Sequence, residues 1–93
     1  MKYEHKNIVM DTESYEVYKD DKEIHLPISE FNILKYLLHN KGKVKTRQHI
    51  RYYALDDFGD KNSNIVDVYI SYLREKLGKD FIKTVRTIGY KIK

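Results

Sequence analysis

Between residues 64 and 77 the chain reads Asn-Ile-Val-Asp-Val-Tyr-Ile-Ser-Tyr-Leu-Arg-Glu-Lys-Leu, and four of its aliphatic residues keep a helical spacing. Val66, Ile70, Leu73 and Leu77 fall at i, i+4, i+7 and i+11, which at about 100° per residue makes one narrow apolar stripe. The opposite side carries Asn64, Val68, Ser71, Tyr72 and Glu75, flanked by Arg74. The pattern predicts a helix from about Ser63 to Leu77, stopped by Gly78, with a core face and a face rich in amide, hydroxyl, phenol and guanidinium groups.

The rest of the chain divides by period. Asn7–Met10, Tyr15–Tyr18 and Glu23–Leu26 are short runs rich in β-branched and aromatic residues, separated by Asp11-Thr12-Glu13-Ser14 and by Lys19-Asp20-Asp21-Lys22. Such runs and breakers predict an antiparallel meander, with room for a further strand over Met1–His5. From Pro27 to Asn40 the period changes. Phe31, Leu34, Leu37 and Leu38 take helical spacing, with Ile28 one turn earlier, and Asn40-Lys41-Gly42 is a stop signal. A second helix starts after Thr46, a suitable N-cap, and runs through Arg47, Ile50, Tyr53 and Ala54. Residues 55–63 are rich in Asp, Gly and Asn and predict a loop. Phe81–Val85 and Gly89–Lys93 alternate and predict a hairpin around Arg86-Thr87-Ile88-Gly89. Strands, then helices, then strands imply an α+β domain and not a parallel α/β sheet.

Composition changes this picture in two ways. The 93 residues, with no cysteine, make one domain without disulfides, thiolate zinc sites or a cysteine nucleophile. No apolar run spans a bilayer and no signal-peptide segment opens the chain, so a cytoplasmic protein is expected. Charge is uneven. Residues 1–40 hold five Lys/Arg against eight Asp/Glu, a net of −3; residues 41–93 hold thirteen against six, a net of +7. Positive charge gathered in the half that carries the polar-faced helix and the basic hairpin is the footprint of a polyanion binder, and suggests a winged helix resting on DNA.

Two motifs sharpen this reading. Val66-Asp67-Val68-x-Ile70-x-x-Leu73-Arg74-x-Lys76-Leu77, followed by Thr84-Val85-Arg86-x-x-Gly89-Tyr90, resembles the C-terminal DNA-binding domain of OmpR/PhoB-type response regulators. Upstream, Glu30-Phe31 before a leucine-rich helix and Gly42–Arg47 before the second helix keep the family's order. The resemblance implies a winged helix-turn-helix whose third helix enters the DNA major groove and whose hairpin reaches a minor groove. It implies binding to tandem half-sites beside a second copy, RNA polymerase contact through loop 55–62, and a phosphorylated receiver domain preceding this chain in a longer regulator. Position by position, Asn64, Ser71, Tyr72 and Arg74 would meet DNA, with Tyr69 near a flank. Thr84 and Tyr90 would hold phosphate through their hydroxyls, and Arg86 would enter the minor groove. These roles suit the chemistry: amides pair with adenine, hydroxyls donate to phosphate, and arginine suits a narrow electronegative groove. The chain departs from the family at Asn64 and Tyr72, where basic residues are frequent, and at Pro27, Leu55 and Thr87, where threonine, tryptophan and glycine are usual.

Other readings carry less. His5, His25, His39 and His49 lack metal-ligand spacing, the acidic loop lacks a calcium pattern, and no phosphate-cradling glycine motif or nucleophile elbow occurs. No enzyme and no cofactor are expected. Asp67 and Glu75 repel phosphate and are expected in ion pairs. Tyr72 could instead pack between helix and hairpin. The alternative in a different class is a winged-helix protein-interaction module without DNA binding, which the reduced helix charge at Asn64 and Tyr72 favours.

Overall fold

The computed structural model describes residues 1–56 and 64–93. Its first unit is a four-stranded antiparallel meander in the order β1-β2-β3-β4, formed by β1 (Lys2–His5), β2 (Ile8–Asp11), β3 (Glu16–Lys19) and β4 (Lys22–Ile24). In β2 the side chains alternate between buried and half-buried, so Ile8 and Met10 point into the core with Val17 of β3. The expected extra strand is β1. Tyr15, expected in the third strand, instead precedes it with a positive φ of 58° and an exposed ring, because the chain must turn after Asp11 accepts hydrogen bonds from the amides of Glu13 and Ser14.

Three helices follow. α1 (Ile28–His39) begins after Pro27, which stands at the cap with extended backbone, and buries Phe31, Leu34, Leu37 and Leu38 as the spacing predicts. It also buries Ile33, which the predicted stripe omitted, while Ile28 is exposed at the helix start, before the apolar face has turned onto the core. Gly42 ends the unit with φ +88° and donates its amide to the Ile92 carbonyl at 2.6 Å, drawing the chain's C-terminal strand towards the end of α1. α2 (Arg47–Ala54) is capped as expected: the Thr46 side chain accepts from the His49 amide at 3.0 Å. α3 (Ile65–Leu77) buries Val66, Ile70, Leu73 and Leu77 to 4% exposure or less, so the predicted stripe is the packed face. Gly78 closes it at φ +107°. The predicted loop over 55–63 lies, from residue 57 onward, outside the described residues.

The C-terminal hairpin pairs β6 (Lys83–Val85) with β7 (Gly89–Lys91) around Arg86, Thr87 and Ile88. Phe81 and Ile82, expected in its first strand, lie before it and are buried in the core. The sequence pattern missed one strand. Lys45–Thr46 form β5, which pairs antiparallel with β7 and makes a three-stranded sheet in the order β5-β7-β6. Gly89 is what permits it: a Cβ there would run into the Lys45 carbonyl oxygen.

A polar contact joins α1 to α3 across the core. Glu30 on α1 is 3% exposed, and Lys76 on α3 donates to its Oε1 at 2.8 Å. A buried carboxylate without this partner would be strongly destabilising, so the pair fixes how α1 meets the C-terminal turn of α3.

Candidate nucleic-acid interface

α3 presents its polar side away from this core. Asn64 occupies the N-cap position, is exposed, and makes no capping hydrogen bond with its side chain, which leaves the amide available for a partner. Ser71 is exposed and Tyr72 is 45% exposed; Val68 and Tyr69 are half-buried. Tyr72 meets the Tyr69 ring edge to face with centroids 6.5 Å apart, so it faces outward beside its neighbour and does not pack into the core.

Arg74 joins this face to the hairpin. Its Nε and Nη2 donate to the Ile82 carbonyl at 3.2 and 2.8 Å, and Nη2 also donates to Thr84 Oγ1 at 2.6 Å. Two of the predicted site residues, Arg74 and Thr84, are therefore in contact. Their shared edge presents a guanidinium beside a hydroxyl, a pairing suited to a phosphate oxygen. Arg86 is exposed at the hairpin tip, followed by Thr87 at φ 64° and by Ile88, which is 53% exposed.

Tyr90 is placed differently from the expectation. It is 5% exposed, and its hydroxyl donates to Asp67 Oδ1 while accepting from Arg47 Nη2 at 3.4 Å. It shares a sheet face with Thr84, its partner across the ladder, and Arg74 spans both of them. The guanidinium carbons of Arg47 and Arg74 lie 5.0 and 5.5 Å from the centre of the ring. Tyr90 is thus the post around which two arginines are arranged.

Asp67 and Arg47 complete the arrangement, and the sequence pattern did not single them out as site residues. Arg47 Nε donates to Asp67 Oδ1 at 2.6 Å, so one carboxylate oxygen gathers the start of α2, the first turn of α3 and β7. Burial raises the Asp67 pKa, but hydrogen bonds from Tyr90 and Arg47 outweigh it and leave the carboxyl below its ordinary range. Burial, then the bond to Asp67, pushes the Tyr90 phenol upward, so it remains a donor at neutral pH. The hydrogen bond to Asp67 raises the Arg47 pKa further. The ion pair expected of Asp67 is present, and it aims a cation at the surface between two helices. Twenty residues separate its partners, which no local pattern reveals; the weak signal was an acidic residue on a helix otherwise suited to anions.

Among the described residues no group of three or more His, Asp or Glu side chains could hold a metal ion, and no helix is long and apolar enough to cross a membrane.

Comparison with known proteins fits this geometry. Residues 21–92 match the family described as "Transcriptional regulatory protein, C terminal". The response regulator protein PmrA of Pseudomonas aeruginosa is 35% identical over 88 residues, which is 95% of this chain and 40% of PmrA. This chain therefore spans about two-fifths of that relative. The DNA-binding domain of CpxR from E. coli superposes with a TM-score of 0.89 at 28% identity, covering 99% of this chain and 95% of that one. The Klebsiella pneumoniae RstA DNA-binding domain, solved in complex with the RstA box, superposes with a TM-score of 0.88 at 26% identity, covering 98% and 95%. With its buried helix stripe, its outward polar face and its braced hairpin, the chain belongs to the family of C-terminal transcriptional regulatory domains, the winged-helix DNA-binding output domains of OmpR/PhoB-type response regulators.

Proposed function

We propose that this domain reads duplex DNA with α3 in the major groove and the β6–β7 hairpin in the adjoining minor groove, as the output half of a two-component regulator. The observation that carries the reading is the Arg74–Thr84 contact, which fixes a helix face and a hairpin as one surface. The RstA DNA-binding domain, of the same fold, was solved in complex with the RstA box.

Within this pose the roles divide by chemistry. Asn64 supplies the amide that pairs with an adenine edge, and Ser71 and Tyr72 line the groove beside it, with Tyr69 at the flank. Arg74 and Thr84 hold phosphate and set register without reading sequence. Arg86 enters a narrow A·T-rich minor groove. Tyr90 positions arginines and does not itself meet DNA. One short helix discriminates few base pairs, so specific sites are tandem half-sites holding a second copy. The segment 55–62, mostly outside the described residues, is the proposed RNA polymerase contact, and a receiver domain is the proposed partner in the longer protein.

The test is duplex binding across salt concentrations, followed by selection from random sequence. Neutralising about four to six phosphates gives a slope of log K against log salt of about −4 to −5. Arg86→Ala weakens a selected site by about 1–3 kcal/mol, and Arg86→Lys recovers only part, because a hydrated ammonium replaces a planar guanidinium. Affinity unchanged by salt, or no duplex binding at all, would sink this reading in favour of a protein-interaction module.

A further inference from the structure

The hairpin face turned away from α3 carries a charge pattern that the reading above does not use. Lys83 lies directly opposite Lys91 in the β6–β7 ladder. Lys93 follows just past the end of β7 and lines the same concavity as Lys83. Like charges placed opposite one another weaken a ladder. The neighbouring Lys93 ammonium, and then Lys91, hold the Lys83 pKa below the ordinary lysine value. Beside them a surface concavity of about 440 Å³ is lined by Lys6, Arg74, Lys79, Lys83 and Lys93, with Asp80 as the one carboxylate among these charges.

We propose that this concavity is a phosphate-binding groove that takes the DNA backbone as it runs on from Arg74 and Thr84, extending the contact beyond α3. The inference rests on the DNA-binding reading. Arg74 belongs to both surfaces: it lines the groove, and it donates to Thr84 at the hairpin edge. A strand held at that pair continues into the groove without leaving the protein. Lysines suit this task because the ammonium acts as a point charge that attracts phosphate without demanding one geometry. Asp80 opposes it with one negative charge against five positive ones. The groove adds affinity and no sequence preference. The cross-strand repulsion has a role on this view, since a bound polyanion relieves it.

The experiment compares the wild-type domain with Lys83→Gln and with the triple variant Lys79→Gln, Lys83→Gln, Lys93→Gln on a selected duplex. Each lost phosphate contact removes about 0.9 from the salt slope, and roughly tenfold in affinity at 0.1 M salt. The triple variant is expected to lose about 2–3 units of slope and to keep the wild-type sequence preference. Its melting temperature is expected to hold or rise, because repulsion has been removed. Shortening the duplex at the flank beneath the groove should cost the wild type affinity and leave the triple variant unaffected. A triple variant with the wild-type slope and affinity overturns the groove while leaving DNA binding by α3 intact. A wild type without salt-dependent duplex binding overturns the underlying reading and the groove with it. Inorganic phosphate, titrated separately by NMR, distinguishes the source of the anion. Shifts at Lys79 and Lys83 that saturate as readily as with duplex would make this a free-anion site and overturn the backbone assignment.

Discussion

The N-terminal meander passes from β3 to β4 through Asp20 and Asp21, with φ of 52° and 67°, whereas the C-terminal ribbon passes from β6 to β7 through Arg86, Thr87 and Ile88, with the positive φ of 64° on Thr87. Aspartate tolerates the left-handed region because its short side chain bonds locally, and two such residues give the turn whose twist matches the strands. A β-branched threonine there is strained. The first turn suits folding, and its half of the chain is net negative. The second gives up local comfort to carry an exposed arginine and an exposed isoleucine at its tip, in the half that is net positive. On the proposed reading, the first sheet is scaffold and the second carries the contact.

Seven substitutions press on this contrast, six of them set in pairs, from the largest expected effect downward. Gly89→Ala drives a Cβ against the Lys45 backbone and separates β5 from β7. A loss of about 3 kcal/mol is expected, together with loss of duplex binding at temperatures where the variant remains folded. Val17→Ala in the meander should cost about 2 kcal/mol and leave binding of the folded fraction unchanged. Thermal melts paired with titrations below the transition separate the two; equal binding losses would erase the distinction between the sheets.

Next comes Asp67→Asn, set against Asp11→Asn. Both carboxyls titrate below their ordinary range, Asp11 chiefly because backbone amides of Glu13 and Ser14 donate to it. Asp67 is held down by two side chains that outweigh its burial. A depressed folded pKa contributes stability above the unfolded value, about 3.9, which is lost as pH falls through the folded pKa. The Asp67→Asn deficit should therefore be constant from about pH 5 to 8 and shrink below about pH 4. Its size is about 1 kcal/mol at most, since both partners are partly exposed. The amide introduced by Asp11→Asn still offers an oxygen to the same backbone donors, so that deficit should be smaller. Chemical denaturation at several pH values checks both; a deficit for Asp67→Asn that grows towards acid would contradict the Arg47–Tyr90 assignment.

Thr87→Gly should stabilise the domain by up to about 1 kcal/mol, a rise of several degrees in Tm, and Asp21→Gly by less, because Asp21 bears the same φ at lower cost. If Thr87→Gly lowers Tm, the ribbon turn is not strained. Smallest of all is Arg86→Ala, whose stability should stay within about 0.5 kcal/mol of wild type whatever its effect on DNA.

Period and cap made most of the fold legible. The stripe of α3 and the Thr46 cap depend on residues close in sequence, and both are present as read. What stayed hidden depends on residues far apart. β5 is two residues long and has no pattern of its own; its sign was Gly89, forty-odd positions away in the chain. Tyr90 shows the same limit at the site. A phenol beside a hairpin can hold phosphate or hold a neighbour, and its bonds to Asp67 and Arg47 come from residues too far away in the chain for a local pattern to show. Ser71, Tyr72 and Arg86 are outward as expected, since their exposure follows directly from the helix period and the hairpin tip.

Arg74 has a further consequence for kinetics. A long cationic side chain that swings freely must be immobilised when it binds, at about 0.5–1.5 kcal/mol of rotamer entropy. Here the Ile82 carbonyl and Thr84 hydroxyl have already immobilised it during folding. If duplex binding proceeds as proposed, association needs no search by this side chain: a duplex arriving in the right orientation would meet a guanidinium already in place, its ordering cost met during folding.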